Sequence, residues 1–153
     1  MSTAPLRPSG TGPAPNPRRS VRLEWTGDGL KFNAMGTAPT TPPITIDGDN
    51  QVAPGPMLTL LLAAASCSAA DVALIVKKMR VTLTQLSVEV TGVRRDEEPR
   101  RYVAMEFHYR MGGDGLTAEQ ADRAVKLSLE RYCSVVHSLA PDIKITSTVE
   151  LAE

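Results

Sequence analysis

The sequence is poor in cysteine and histidine, with two of each in 153 residues. Two thiols in a chain of this length exclude a disulfide-stapled scaffold, and the length itself is enough to bury a core without staples. The thiols therefore read as reduced thiols, a reactive pair or plain core residues. Charge of one sign is also lacking: 17 Lys and Arg stand against 17 Asp and Glu. That balance removes the electrostatic case for nucleic acid or an anionic membrane surface. The opening MSTAPLRPSGTGPAPNP has no continuous apolar segment of the secretory kind, so a cytoplasmic location is expected. Its prolines and small polar residues cannot bury enough surface to offset ordering, which predicts a flexible tail over 1–19 and a single domain over 20–153. No internal repeat is present.

What the sequence does have is one long apolar run. LTLLLAAASCSAADVALIV, residues 58–76, carries one charge, Asp71, and has Cys67 in its middle. It is long enough to cross a bilayer. Asp71, Ser66, Ser68, the alanines and the polar flanks favour instead a helix buried on nearly every side, inside a large core or a dimer. Pro54 and Pro56 suit a helix start, and Lys77, Lys78 and Arg80 suit its end, which predicts a helix over 57–79.

Around it the apolar residues alternate. Val21, Leu23 and Trp25 share one face of a predicted half-buried strand, Gly27-Asp28-Gly29 makes a hairpin turn, and Leu30, Phe32 and Ala34 return. A short strand is expected at 44–46. Leu86, Val88 and Val90 mark a strand over 84–93; Val103, Met105, Phe107 and Tyr109 mark another over 101–111, ending in a GGDG turn at 112–115. Thr117 and Gln120 form a capping box, with Leu116 and Ala121 as staple, for a helix from 118 to about 138. Its inward stripe is Ala121, Val125, Ser128, Tyr132 and Val136. Ile143, Ile145, Val149 and Leu151 close the chain with a strand. The order predicts an α+β fold of antiparallel sheets with two long helices.

The thiols are the candidates for chemistry. Cysteine is nucleophilic as the thiolate, so its pKa must be lowered. Cys67 stands about three turns inside its helix, beyond the reach of the N-terminal dipole. Catalysis at Cys67 requires a cation from elsewhere, such as a partner subunit; otherwise it is a small buried hydrophobe. His137, four residues after Cys133, either polarises that thiol or is an exposed helix-end histidine. Cys67, Cys133 and His137 lack the short spacing of zinc ligands, so neither a metal nor a cofactor is expected. His108 falls on the polar face of its strand. Asp71, one turn after Cys67, would raise a thiol pKa and reads as structural. Met57, Met79, Met105 and Met111 suit an adaptable apolar lining, as a pocket or as core.

PGPMLTLLLAAASCSAADV and LSLERYCSVVHSL together resemble the two cysteine motifs of the OsmC/Ohr family, the osmotically induced and organic hydroperoxide resistance proteins. The resemblance spans residues 21–151. It implies an intertwined homodimer, with two long sheets wrapped around paired central helices and active sites at the subunit interface. In the family's peroxidases the first cysteine becomes a sulfenic acid and the second condenses with it. That implies Cys67 as the peroxidatic and Cys133 as the resolving thiol, with a hydroperoxide as substrate and a thiol reductant as partner. The family's enzymes carry an arginine in the turn between the first two strands and a glutamate ten residues before the first cysteine. Here Lys31 is the first cation after that turn, Arg22 precedes it, and Met57 takes the glutamate's place. Lys31 and Met57 are thus the substrate-binding candidates, and the resemblance is to a divergent branch of the family. The alternative reading is a non-catalytic homodimeric binding protein with a hydrophobic interfacial pocket.

Overall fold

The computed structural model describes residues 18–36, 38 and 40–152. Apart from Arg18 and Arg19, the tail expected over 1–19 lies outside them. The chain opens with a three-stranded antiparallel sheet in which β2 (Lys31–Gly36) lies between β1 (Val21–Trp25) and β3 (Ile44–Asp47). Gly27 and Gly29 adopt φ of +86° and +53° in the hairpin turn, the left-handed backbone that glycine accepts freely. The apolar side of β1 stays uncovered in the single chain: Val21 is 83% and Trp25 63% exposed. The alternation thus predicted the strand, while the cover it implies is not supplied by the described residues.

After β3 the backbone is gathered around Asp47. Its buried carboxylate accepts the amides of Asp49, Gln51 and Val52 at 3.0, 2.9 and 2.9 Å. Those amides, Val52 and Asp49 foremost, hold its carboxyl below the usual range. Asn50 Oδ1 accepts the Gly55 amide at 2.8 Å. A Cβ at Gly55 would stand 2.8 Å from both Asn50 Oδ1 and the Asp47 carbonyl, so glycine is required where the loop enters the helix.

Helix α1 (Pro56–Lys78) starts on proline and ends in Lys77 and Lys78, as expected. It is long and apolar enough to cross a membrane. However, Leu61, Ala64, Ser68, Val72 and Val76 form one stripe buried within the chain's own fold. This stripe lies on a second sheet of order β4-β5-β6, where β4 is Thr82–Arg94, β5 Tyr102–Asp114 and β6 Lys144–Leu151. Val88 pairs with Tyr109 and Val90 with Phe107 across β4 and β5. Met105, Phe107, Tyr109 and Met111 are fully buried or nearly so and make the floor of the core. A second stripe of α1 is open in the single chain, with Leu58, Leu62 and Leu74 exposed.

Three expectations need correction. The second sheet is mixed: β6 runs parallel to β5, because the helical crossover after β5 returns the chain to the same end of the sheet. The GGDG segment is not wholly a turn. Gly112, Gly113 and Asp114 continue β5, and the chain reverses at Gly115, φ +75°. The second helix is not continuous from 118 to 138. It begins as predicted on the Thr117–Gln120 capping box as α2 (Ala118–Leu127), widens into a π-turn over Ser128–Tyr132, breaks at Cys133, and resumes as the single turn α3 (Ser134–His137).

Gly92 shows how closely α1 sits on the sheet. A Cβ there would collide with the Tyr102 ring, 2.6 Å from Cδ1, and stand 3.0 Å from Leu61 Cδ2. The Tyr102 hydroxyl in turn donates to the Met57 carbonyl at 2.8 Å. Gly92→Ala should destabilise the fold by about 1–3 kcal/mol through overpacking, read by chemical denaturation. An unchanged midpoint would show that Tyr102 is free to move aside.

Candidate active site

Helix α1 contributes three groups within little more than one turn. Ser68 lies on its buried stripe, and Cys67 and Asp71, four residues apart, share the neighbouring face. The Ser68 hydroxyl is 2.6 Å from the Tyr109 hydroxyl and 2.8 Å from the Ser128 hydroxyl. Ser128 donates to Asp71 Oδ2 at 3.2 Å. Each hydroxyl has one proton and an ionised carboxylate can only accept. With the Ser128 proton given to Asp71 Oδ2, the nearer of its two acceptors (the Ser68 carbonyl is 3.4 Å away), the run has one direction: Tyr109 donates to Ser68, Ser68 to Ser128, and Ser128 to Asp71. Burial pushes the Tyr109 phenol up to about 12, opposed by its bond to Ser68, so it remains a donor throughout the physiological range. No buried side-chain nitrogen or oxygen among the described residues lacks a hydrogen-bond partner.

The π-turn places the second thiol. The Cys133 amide bonds to the Ser128 carbonyl at 2.8 Å, five residues back. A π-turn holds one residue more than an α-turn and so rotates everything after it. Ala121, Val125 and Ser128 face inward as the stripe predicts, but the next inward position passes to Cys133, fully buried, while Tyr132 is 56% exposed. Tyr132 is thus removed from the predicted inward stripe. Cys133 takes extended backbone, φ −65° and ψ 98°, and its Sγ stands 4.0 Å from the Ala64 carbonyl on α1.

The outcome is a tight cluster from two segments. Cys67 Sγ, Cys133 Sγ and an Asp71 carboxylate oxygen all lie within 4.8 Å of one another. The two thiols differ in setting: Cys67 is half-buried and Cys133 buried. Burial above all pushes the Cys133 thiol up to about 11; the Val136 amide opposes this, while Cys67 and the Asp71 charge add to it. Beside the cluster an open groove of about 750 Å³ runs between α1 and α2. Its wall includes Asp71, Leu74, Ile75, Met79, Arg123 and Tyr132, so the carboxylate connects groove and thiols, although neither thiol lines it.

Of the residues singled out from the sequence, Cys67 and Cys133 meet. Met57 and Lys31 do not join them within the chain. Met57 is in the first turn of α1, about 15 Å along the axis from Cys67 at 1.5 Å per residue. The Lys31 ammonium is held by Asp28 at 2.6 Å, with Asp47 and Asp49 the other charges bearing on it. His137 lies beyond the break at Cys133, exposed and outside the thiol cluster, so the two no longer share a continuous helix face. Ser68, Ser128 and Tyr109 were not identified from the sequence as site residues. The available signal was polar serine at two positions whose helical spacing demanded apolar ones.

Fold and site together define an α+β thiol protein whose cysteines meet between a core helix and a broken second helix. The chain belongs to the family described as OsmC-like protein, which matches residues 48–148. Protein YhfA of Escherichia coli (strain K12) is 37% identical over 132 residues, 86% of this chain and 96% of its own length. A hypothetical protein from Aquifex aeolicus VF5 superposes with a TM-score of 0.75 at 30% identity, covering 89% of this chain and 98% of that one. The organic hydroperoxide resistance protein OhrB of Bacillus subtilis gives 0.58 at 12% identity over 87% and 98%, a likeness of fold alone.

The contrast between the thiols has a direct consequence. At pH 8 Cys133 should alkylate at least about tenfold more slowly than Cys67, and its rate should climb about tenfold per pH unit from 8 to 10, as expected for a thiol with pKa near 11. Its raised pKa also sets a sign for stability: the contribution is whole below the usual cysteine value and declines as pH rises through about 11, because the unfolded thiol ionises first. Peptide mapping after timed alkylation checks the rates; equal labelling at pH 8 would contradict this site.

Proposed function

We propose that the protein is a homodimeric thiol-dependent hydroperoxide reductase in which Cys67 is oxidised first and Cys133 resolves it. The observation that carries this reading is the placement of the sulfurs within 4.8 Å, one half-buried and one buried. In the first step the Cys67 thiolate attacks a peroxide oxygen, the O–O bond breaks, and the alkoxide leaves and is protonated to the alcohol. Cys67 is then a sulfenic acid. In the second step Cys133 attacks that sulfur, water leaves carrying the thiol proton, and a disulfide forms. An external dithiol reductant restores both cysteines, which fits a reducing, cytoplasmic setting. A disulfide needs Cα atoms within about 7 Å and S–S near about 2.05 Å, so the sulfurs have only a short way to travel.

The uncovered apolar surface supports the dimer. The first sheet touches the rest of its chain chiefly where β3 meets α1, and Val21, Leu23 and Trp25 are exposed along β1. Leu58, Leu62 and Leu74 are exposed on α1. A second copy packed on these faces would give them the cover their sequence pattern implies. In this reading Lys31 and Met57 contact substrate only across the interface.

Reduced protein given one equivalent of cumene hydroperoxide should lose two hydrogens in intact mass. Cys133→Ser should instead trap a sulfenic acid at Cys67, and Cys67→Ser should stay unoxidised. Thiols that stay reduced under excess peroxide would overturn the reading and leave the binding-protein alternative, for which the groove lined by Leu74, Ile75 and Met79 is the apolar site. Sedimentation should give about 33 kDa, twice the 16.4 kDa chain; a folded monomer at micromolar concentration would remove the dimer.

A further inference from the structure

We propose that the reduced protein carries a divalent-metal site of the zinc type, built from the Cys67 and Cys133 thiolates and the Asp71 carboxylate. The three donor atoms already lie within 4.8 Å of one another. A tetrahedral ion with metal–sulfur bonds near about 2.3 Å and a metal–oxygen bond near about 2.1 Å needs its donors about 3.5–3.8 Å apart. The widest pair must therefore close by about 1.3 Å at most, which small side-chain rotations supply. Cysteine and histidine spacing gave no reason to expect a metal, because the third donor is a carboxylate one turn from the first thiol. The second thiol arrives from another segment.

Two features of the surroundings fit a metal site. The first is orientation. The Ser128 hydroxyl holds Asp71 Oδ2 at 3.2 Å, and Ser128 is itself held by Ser68, which Tyr109 holds in turn. Metal-binding carboxylates are commonly fixed by such outer hydrogen bonds, and the bond to Ser128 leaves the carboxylate lone pairs to spare. The second is access. Asp71 stands in the wall of the open groove, and Cys67 is half-buried rather than sealed. Three protein donors leave the fourth position to water or to a small ligand from the groove. The ion is held by the thiolates, so binding displaces thiol protons and affinity rises with pH. A disulfide between Cys67 and Cys133 removes two of the three donors. The metal-bound and disulfide states therefore exclude each other, whatever oxidant makes the disulfide.

The test is a Co²⁺ titration of the fully reduced chain. One ion per chain should bind saturably with a sulfur-to-cobalt charge-transfer band and be displaced by Zn²⁺. Asp71→Asn, which keeps the shape and a hydrogen-bonding oxygen, should weaken binding by at least about tenfold, and Ser128→Ala by about tenfold. Diamide-oxidised protein should not bind, and His137→Ala should bind as wild type does. No saturable band, an affinity unchanged in Asp71→Asn, or a loss caused by His137→Ala would overturn the site. Metal binding by a protein that leaves peroxide intact would remove the reductase reading and keep this one.

Discussion

The placement of both thiols depends on one buried hydrogen-bonded run, from the Tyr109 phenol through the hydroxyls of Ser68 and Ser128 to the Asp71 carboxylate. A hydroxyl buried without a partner costs about 1–3 kcal/mol. Each member of the run has its partner on a different segment: β5, α1 and the π-turn. Satisfying them all allows one rotational setting of α1 on the sheet and one setting of the π-turn against α1. Cys67 is the neighbour of one member and Cys133 follows another by five residues, so the thiols inherit their separation from a network to which they do not belong.

The π-turn converts that network into a division of labour. An uninterrupted α-helix would carry Tyr132 inward and leave Cys133 on a flank. The extra residue turns Cys133 into the core under Ala64 and sends Tyr132 out to the wall of the groove. One thiol is left within reach of solvent and the other is kept protonated by burial. That asymmetry is what a two-step thiol oxidation needs, since the half-buried sulfur meets the oxidant and the buried one meets only the first. The same asymmetry leaves Asp71 at the boundary between groove and thiols, where a carboxylate can take part in holding a cation.

Lys31 illustrates the limit of carrying a site over from related proteins. At the corresponding turn the family's peroxidases present an arginine, which can grip an anion through two parallel N–H bonds. Here the lysine is held by Asp28 in its own hairpin, and Asp47 and Asp49 add to a local field that binds the cation where it is. Met57 likewise serves the core, with its carbonyl taken by Tyr102. In this chain the two thiols stand without that arginine and glutamate, and the groups beside them are hydroxyl and carboxylate.

Local patterns were enough for much of the fold. Period-two alternation marked all six strands to within a few residues, the PGP segment and the Thr117–Gln120 box marked both helix starts, and the two cysteine motifs marked the family, because each depends on residues that are neighbours in the chain. The parallel pairing of β6, the break at Cys133, the outward turn of Tyr132 and the joining of Asp71 to both sulfurs were decided by tertiary structure alone. A parallel partner is chosen by the path of a crossover. A π-turn here is accompanied by a hydrogen bond that Ser128 makes to groups some sixty positions away, Ser68 among them. Helical spacing treats every turn as equal, so it cannot register the one that widens where Ser128 meets a serine sixty positions away.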